Sequence, residues 1–318
     1  MKPIVTLTLN PAIDSSCQAD EVRPVHKIRT TEERYDPGGG GINVARVIRE
    51  LGGEAMAVYL AGGLTGQAFT QMIDAIGLQH RAVPIRGYTR VSHTVYERSS
   101  GQEYRFVPQG PEIHEDEWQA CLRELDGLEF DHLVASGSLP RGVPDDFYAR
   151  MAAMVSAKGT RFIVDTSGAA LKQALEAGVY LVKPNLRELE SVVGRSLRDP
   201  AEQEAAAMEL IVRGRAEIVT VSLGADGALL ATEAGCLRLR APKVKPRSAV
   251  GAGDSFVGAM TLGLAQGRTP EDAFALAVAT GTATVLTMGT ELCRREDVLR
   301  IYRQIKAEQV APATAGPQ

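Results

Sequence analysis

The sequence predicts an α/β fold in which helices cover a mostly parallel sheet. Short apolar, β-branched runs recur along the chain, amphipathic patterns lie between them, and turns rich in Gly, Asn and Asp follow the runs. Strands of a parallel sheet are buried on both faces, so they form continuous apolar runs that alternate with helices. Ligands of such sheets bind beyond the carboxyl ends of the strands, which makes the turns after these runs the candidate sites.

The predicted elements alternate along most of the chain. The candidate strands are IVTLTL (4–9), AMAVYLA (55–61), HLVASG (132–137), RFIVDT (161–166), VYLVKP (179–184) and EIVTVSL (217–223). Apolar residues recur at helical spacing in segments 66–77 and 145–158, which predicts amphipathic helices between these strands.

Two stretches depart from this alternation. Residues 88–109 predict a β-hairpin with SSG (99–101) as its turn, and residues 15–35 are polar without helical periodicity. Antiparallel strands inserted here could form a flap over the active edge of the sheet. A surface hairpin without a role explains the same pattern, and the pattern by itself favours it.

The totals exclude several classes of protein. A net charge of −4 gives no general affinity for nucleic acid, so any anion site must be built from local charges. The cysteines show no CxxC spacing and predict reduced cytosolic thiols: Cys17, Cys121, Cys236 and Cys293. The N-terminus lacks the apolar core of a signal peptide, and residues 273–286 are too short and too rich in Thr and Gly to span a bilayer. A cytoplasmic protein without a membrane partner is therefore expected, with 311–318 as a disordered tail.

The stretch SAVGAGDSFVGAM (248–260) places an acid where a helix begins. Gly253 can adopt backbone angles closed to other residues, and a helix starting here would aim unpaired N–H groups at one point, forming an anion hole. Asp254 could act as a base on a hydroxyl beside that anion, which is the arrangement that phosphoryl transfer needs. An acid that only complements the helix dipole explains the same residues, and the short motif by itself favours that interpretation.

Three further stretches have the composition of binding turns. The four glycines of DPGGGGINVAR (36–46) indicate close backbone approach, and Asn43 in the first turn of the following helix could reach a sugar hydroxyl. In VKPNLRELE (182–190), Asn185 and Glu188 could lie near a phosphate-bound Mg²⁺, although a helix capping box is the stronger interpretation of this spacing. The glycine turn of VTVSLGADGALLA (219–231) fits an ordinary hairpin and a nucleotide contact equally well.

Together and in this order, these stretches resemble the ribokinase-like carbohydrate kinase family, and within it the minor 6-phosphofructokinase branch. The resemblance covers nearly the whole chain and rests on TLTLNPAIDS, PGGGGINVARVIRELGG, ASGSLPRGV, IVDTSG, LVKPNLRELE, VSLGADGAL and SAVGAGDSFVGAM. It implies one three-layer α/β/α domain over residues 1–310, with a β-sheet lid inserted at about 15–35 and 88–108. It also implies ATP-dependent phosphorylation of a sugar, and a homodimer formed through the lids.

The resemblance implies a role for each matching residue. Asp254 would be the base on the sugar's 1-hydroxyl, and the backbone of Gly251, Ala252 and Gly253 would hold the transferring phosphoryl group. The hydroxyls of the sugar would be held by Asp14, Gly39, Asn43 and Ser138. Its phosphate would be held by Lys27 and by Arg90, which can bind bidentately. MgATP would contact Lys183, Asn185, Ser222 and Gly224, and Glu188 would order a magnesium-bound water.

One loop departs from the family pattern. Close relatives tend to have a basic residue where this chain has Glu291, near the adenine and near a site for a monovalent cation. The resemblance still allows Ser248, Val250 and Gly289 to supply ligands for K⁺.

The expected activity is therefore ATP-dependent phosphorylation of D-fructose 6-phosphate to fructose 1,6-bisphosphate. Tagatose-6-phosphate kinase and 1-phosphofructokinase are the alternatives within the class. A catalytically silent sugar-phosphate sensor is an alternative from another class, although such a protein need not keep the base. A nucleotide-binding oxidoreductase is disfavoured because GAGD lacks the GxGxxG form and lies late in the chain.

Overall fold

A computed structural model describes residues 2–310, and the predicted tail 311–318 lies outside the described residues. In chain order the strands are β1 Ile4–Thr8, β2 Ala12–Ala19, β3 Thr30–Gly38, β4 Ala55–Ala61, β5 Gln79–Pro84, β6 Arg90–Glu97, β7 Glu103–Phe106, β8 His132–Ser136, β9 Arg161–Asp165, β10 Val179–Val182, β11 Ala216–Ser222, β12 Ala228–Thr232 and β13 Gly235–Leu239. The helices are α1 Gly40–Glu50, α2 Gly63–Ala75, α3 Glu115–Asp126, α4 Phe147–Ser156, α5 Gly168–Ala177, α6 Leu186–Val193, α7 Pro200–Val212, α8 Ala252–Ala265, α9 Pro270–Thr284 and α10 Arg295–Val310.

The larger sheet has nine strands in the order β13-β12-β11-β10-β9-β8-β1-β4-β5. Its pairings are parallel except those of β12 with β11 and β13. Strand β1 lies inside the sheet, where Leu7 is opposite Val58 on one side and Ala135 on the other. The six predicted strands are all observed, with ends that differ by no more than two residues.

Helices cover both faces of this sheet, which explains why its inner strands, such as β1 and β8, are buried along their length. On one face the core contains Ile42 of α1, Phe256 of α8 and Phe274 of α9. On the other face it contains Trp118 of α3 and Met151 of α4. The predicted three-layer α/β/α fold is confirmed, whereas the assignment of residues 1–310 to one domain stays a prediction.

The smaller sheet has four strands in the order β3-β2-β6-β7 and contains both predicted lid segments. The predicted hairpin is present, with Val95 of β6 opposite Tyr104 of β7. The prediction of purely antiparallel strands is wrong in one respect, because β2 and β6 pair in parallel. They come from separate insertions, so no tight turn forces them to run in opposite directions.

Within residues 2–310, no helix has the length and apolar character that crossing a bilayer requires.

Candidate active site

The candidate site lies where strands of the large sheet end and helices α1 and α8 begin. Strands β8 and β9 end at Ser136 and Asp165, and Lys183 directly follows β10. Because parallel strands place their carboxyl ends at one edge, these polar residues gather beside the first turn of α8, which carries Asp254. The polar residues therefore gather at the edge of the sheet where the sequence predicts the site, and their function stays a prediction.

The glycine turn before α8 differs from the expectation at one residue. Gly253 was expected to carry the unusual backbone angles, but it lies inside the helix, and Gly251 at the N-cap has φ +74°. A Cβ at Gly251 would also stand 2.6 Å from Leu292 Cδ2. The left-handed residue is needed where the chain turns into the helix, so the special glycine is the cap.

Asp254 is partly buried at the third position of α8. Burial, reinforced by the negative charge of Asp165, raises the pKa of the Asp254 carboxyl to about 7. Opposing this rise, Asn43 Nδ2 donates a hydrogen bond of 2.9 Å to Asp254 Oδ2, and Ser136 Oγ donates one of 3.3 Å to Oδ1. A carboxylate with this pKa is suited to accept a proton near neutral pH.

Lys183 brings a buried positive charge to the same place. Only 6% of Lys183 is exposed, and its Nζ lies 3.1 Å from Asp165 Oδ1. Burial lowers the pKa of Lys183, but the charge and hydrogen bond of Asp165 outweigh it, so the net shift is upward and the ammonium stays charged. A Cβ at Gly253 would stand 3.6 Å from Nζ, which places this charge beside the start of α8.

The four glycines at 38–41 allow close approach, as predicted, but to side chains of the chain itself. A Cβ at Gly38 would stand 1.8 Å from Asp14 Oδ2, and one at Gly40 would stand 2.3 Å from Ser136 Oγ. Gly39 has φ +109° at the N-cap of α1. Burial raises the pKa of Asp14 to about 6, although the charges of Arg90, Arg105 and Arg46 oppose the rise.

Arg90 lies at the start of β6, where its charge acts on Asp14. Its Nη1 and Nη2 donate to the backbone oxygens of Pro108 and Asn10, at 2.9 and 2.8 Å, and its buried Nε lacks a partner among the described residues. The expected bidentate contact would therefore have to use the remaining N–H groups of the guanidinium. Lys27 is exposed on the loop between β2 and β3, and its role stays a prediction.

Asn185 and Glu188 form the capping box that the sequence predicts. Glu188 N donates to Asn185 Oδ1 at 2.9 Å, and Asn185 N donates to Glu188 Oε2 at 2.8 Å. Ser222 forms a parallel bridge with Asn185, and Gly224 begins a short 3-10 turn with φ +63° and open space around it. These residues follow or end β10 and β11, at the same edge of the sheet as Lys183.

Among residues 2–310, no group of three or more His, Cys, Asp or Glu side chains could cage a metal ion. Magnesium keeps several waters and needs only one or two carboxylates when phosphates supply the other oxygens. Glu188, close enough to Lys183 for its charge to raise the pKa of that ammonium, fits such a role.

The predicted K⁺ ligands lie on two loops, one before α8 and one after α9. Ser248 is buried, and its Oγ accepts a hydrogen bond of 3.3 Å from Val250 N. Gly289 has φ +56°, and a Cβ there would lie 3.4 Å from Ser16 Oγ of the lid. Glu291 accepts two hydrogen bonds from Arg294, at 3.1 and 2.9 Å, and lies 3.9 Å from Arg34, so arginines hold its charge.

Sequence reasoning missed three residues of the site. Ser136 contacts Asp254, whereas the predicted Ser138 is exposed two residues further along. Asp165 pairs with Lys183, and its signal was an acid at the end of a predicted strand. Arg105 on β7 acts on Asp14 through its charge, and the sequence offers no signal that brings it there.

Comparisons with known proteins show the family to which the chain belongs. The model of the pfkB family of carbohydrate kinases matches residues 7–297. The ATP-dependent 6-phosphofructokinase isozyme 2 of Mycobacterium tuberculosis is 46% identical over 301 residues, covering 94% of this chain and 88% of that protein. The isozyme 2 of Escherichia coli K12 is 41% identical, covering 95% and 98%. A 1-phosphofructokinase of Bacillus subtilis is 32% identical, covering 96% and 100%.

Solved structures of Escherichia coli phosphofructokinase-2 are similar over nearly the whole chain. The complex with potassium has a TM-score of 0.93 at 41% identity, and the complex with fructose-6-phosphate has a TM-score of 0.91 at 40% identity. A tetrameric inhibited form has a TM-score of 0.91 at 40% identity. Each covers 96% of this chain and 100% of the other.

Proposed function

Because the chain belongs to the pfkB family of carbohydrate kinases, we propose that it transfers the γ-phosphoryl group of ATP to the 1-hydroxyl of D-fructose 6-phosphate. The products are fructose 1,6-bisphosphate and ADP. One observation carries the proposal: a partly buried carboxylate, Asp254, with a pKa of about 7, lies in the first turn of a helix whose start faces a buried lysine.

Asp254 accepts the proton of the 1-hydroxyl as that oxygen attacks the γ-phosphorus. The bond between the γ-phosphorus and its bridging oxygen breaks, ADP leaves, and the proton later passes from Asp254 to water. The N–H groups of Gly251, Ala252 and Gly253 at the start of the helix, with the Lys183 ammonium, stabilise the charge on the transferring group.

The sugar binds between the larger sheet and the lid. Its hydroxyls contact Asp14, Gly39, Asn43 and Ser138, and its phosphate is held by Lys27 and Arg90, to which we add Arg105. Cations that converge on one phosphate allow a chain of net charge −4 to bind a doubly charged sugar phosphate. Lid closure excludes water, which otherwise competes as acceptor.

ATP contacts Lys183, Asn185, Ser222 and Gly224. Magnesium neutralises the phosphate charge when it is bound, and Glu188 orients one of its waters. Ser248 Oγ and the backbone oxygens of Val250 and Gly289 supply ligands for K⁺, an ion that the Escherichia coli structure contains. Assays in potassium chloride and in tetramethylammonium chloride test this site, since only K⁺ is small enough to bind there.

The lid also carries exposed apolar side chains, which support a homodimer formed through the lids. We propose that the protein works in the cytoplasm. Those side chains are Val25, Ile28, Tyr35, Phe106 and Val107. A tetrameric form has been solved for the Escherichia coli phosphofructokinase-2, so a tetramer is the alternative to a dimer. Sedimentation of the wild type and of a Val25→Glu variant distinguishes a dimer through this face from a monomer or tetramer.

A coupled ADP-release assay with MgATP tests the activity. It compares fructose 6-phosphate, tagatose 6-phosphate, fructose 1-phosphate and unphosphorylated fructose, with Asp254→Asn as control. Preference for fructose 6-phosphate, lost in the variant, supports both the substrate and the base. Preference for fructose 1-phosphate would make the chain a 1-phosphofructokinase, and preference for tagatose 6-phosphate would make it a tagatose-6-phosphate kinase. Binding of sugar phosphate without turnover would favour the silent sensor.

A further inference from the structure

A buried acid outside the proposed contacts, Asp36, lies at the end of strand β3. Only 8% of it is exposed, and it has three partners. Thr290 Oγ1 donates a hydrogen bond of 2.6 Å to Oδ2, Arg34 Nε donates one of 2.7 Å to the same oxygen, and Arg46 Nη2 lies 3.6 Å from Oδ1. Asp36 therefore joins the lid strand, the loop after α9 and helix α1.

Arg46 continues this chain of contacts toward the base. It lies on α1 three residues after Asn43, which places both side chains on one face of the helix. Arg46 Nη1 donates to the backbone oxygen of Pro37 at 3.1 Å and to Asn43 Oδ1 at 3.3 Å. The cation therefore faces the carbonyl end of the Asn43 amide, while the amide's Nδ2 faces Asp254 Oδ2.

We propose that Arg46, held by Asp36, is a positioning residue that fixes the Asn43 amide as a hydrogen-bond donor to Asp254. The proposal rests on the proposed function, in which Asp254 is the base. An asparagine amide has nearly the same shape after a half-turn, so shape alone does not choose which end faces the carboxylate. A flipped amide would set two acceptors against each other 2.9 Å apart and remove the donor that stabilises the ionised base.

The charged groups around both side chains belong to the same site. Asp165 and Lys183 face Asp254 from β9 and the end of β10, and Asp14 and Arg34 act on Arg46 from the lid. Replacing Arg46 leaves the first pair in place but removes a charge that lowers the pKa of Asp14, so the upper step of the acid limb, which belongs to Asp254, is the one that reports the Asn43 contact.

The experiment compares Arg46→Met and Asp36→Asn with Arg49→Met as the matched control. Arg49 is an exposed arginine on the same helix. Among the described residues, its side chain donates a hydrogen bond to the backbone oxygen of Ile76. For Arg46→Met we expect kcat to fall about tenfold, with the upper step of the acid limb of kcat/KM moving up by about one pH unit and KM for MgATP unchanged. For Asp36→Asn we expect a smaller change in the same direction, and for Arg49→Met none.

An unchanged acid limb overturns the proposal, even if activity is otherwise retained. If the acid limb is unchanged and only KM for the sugar phosphate rises, Arg46 contacts the substrate directly instead. Asp36→Asn provides the same readout if Arg46→Met does not fold. If the wild type phosphorylates none of the four sugars, the proposed function fails, and the positioning is then tested without turnover. A ¹³C NMR titration of the Asp254 carboxyl should still show a higher pKa in Arg46→Met than in the wild type, and equal values would overturn the proposal.

Discussion

Asn43 Nδ2 and Asp254 Oδ2 are joined by a hydrogen bond of 2.9 Å, although the two residues are 211 positions apart in the chain. The contact connects the first turn of α1 with the first turn of α8. Both helices begin with a glycine at the N-cap, at Gly39 and Gly251, each with positive φ. The two glycine turns that open α1 and α8 therefore meet at Asp254, the proposed base.

Replacing Asp254 with Asn should abolish most of the activity. A positioned base contributes about 10²–10⁴ in rate, so kcat should fall by that factor while KM for both substrates changes little. Coupled ADP release measures both constants. Activity within about tenfold of the wild type would mean that another group takes the proton.

The same variant should be more stable than the wild type in mildly alkaline solution. The folded-state pKa of Asp254, about 7, lies above its ordinary value of 3.8, so the folded protein binds this proton more tightly than the unfolded chain does. The stabilisation is complete below the unfolded pKa and is lost as pH rises through the folded pKa.

The Asn side chain does not ionise and avoids this loss. The Tm of Asp254→Asn should exceed that of the wild type by a few degrees near pH 8, at roughly 2–4 °C for each kcal/mol, and by less near pH 5. Differential scanning calorimetry at the two pH values measures the difference. A lower Tm near pH 8 would contradict the raised pKa.

The pH profile of the wild type should show two ionisations on its acid side. Asp254 must be ionised to accept a proton, so log(kcat/KM) should rise with a slope of one below about pH 7 and level off above it. Asp14 has a raised pKa of about 6, so the slope should steepen below that pH if the sugar binds the ionised form. The phosphate of the substrate also titrates near pH 6, and a ³¹P titration of free fructose 6-phosphate corrects for it. A flat profile between these values would exclude Asp254 as the titrating base.

Replacing Gly38 with Ala should damage sugar binding selectively. The new Cβ would stand 1.8 Å from Asp14 Oδ2 and 2.5 Å from its Cγ, so the carboxylate must move. A displacement of about 1 Å can cost up to about 100-fold, so KM for fructose 6-phosphate should rise at least about tenfold while KM for ATP is unchanged.

Gly127→Ala is the matched control for Gly38→Ala. Gly127 is exposed at the end of α3 with φ −75°, and a Cβ there would meet its nearest atoms at 3.6 and 3.7 Å. Its kinetic constants should equal those of the wild type. Equal effects of Gly38→Ala on both substrates would indicate a general loss of structure instead of a displaced Asp14.

The amino-acid sequence by itself determined the local features of this protein. The six predicted strands, the lid hairpin, the Asn185–Glu188 capping box and the position of Asp254 at the start of a helix all depend on residues close together in the chain. Apolar periodicity, glycine content and capping chemistry act over a few residues, so they can be predicted without knowing how the strands are ordered. The family resemblance rested on the same local stretches, and it is confirmed.

The tertiary structure alone decided which distant residues meet. The order of the strands brings Ser136 to Asp254 and Asp165 to Lys183, and the packing of the lid on α1 brings Asp36 to Arg46. Even the choice between Gly251 and Gly253 as the left-handed residue depended on where α8 begins against its neighbours. The reason is physical: a contact between residues far apart in sequence depends on how whole elements pack, and the local pattern of either residue carries no record of that packing.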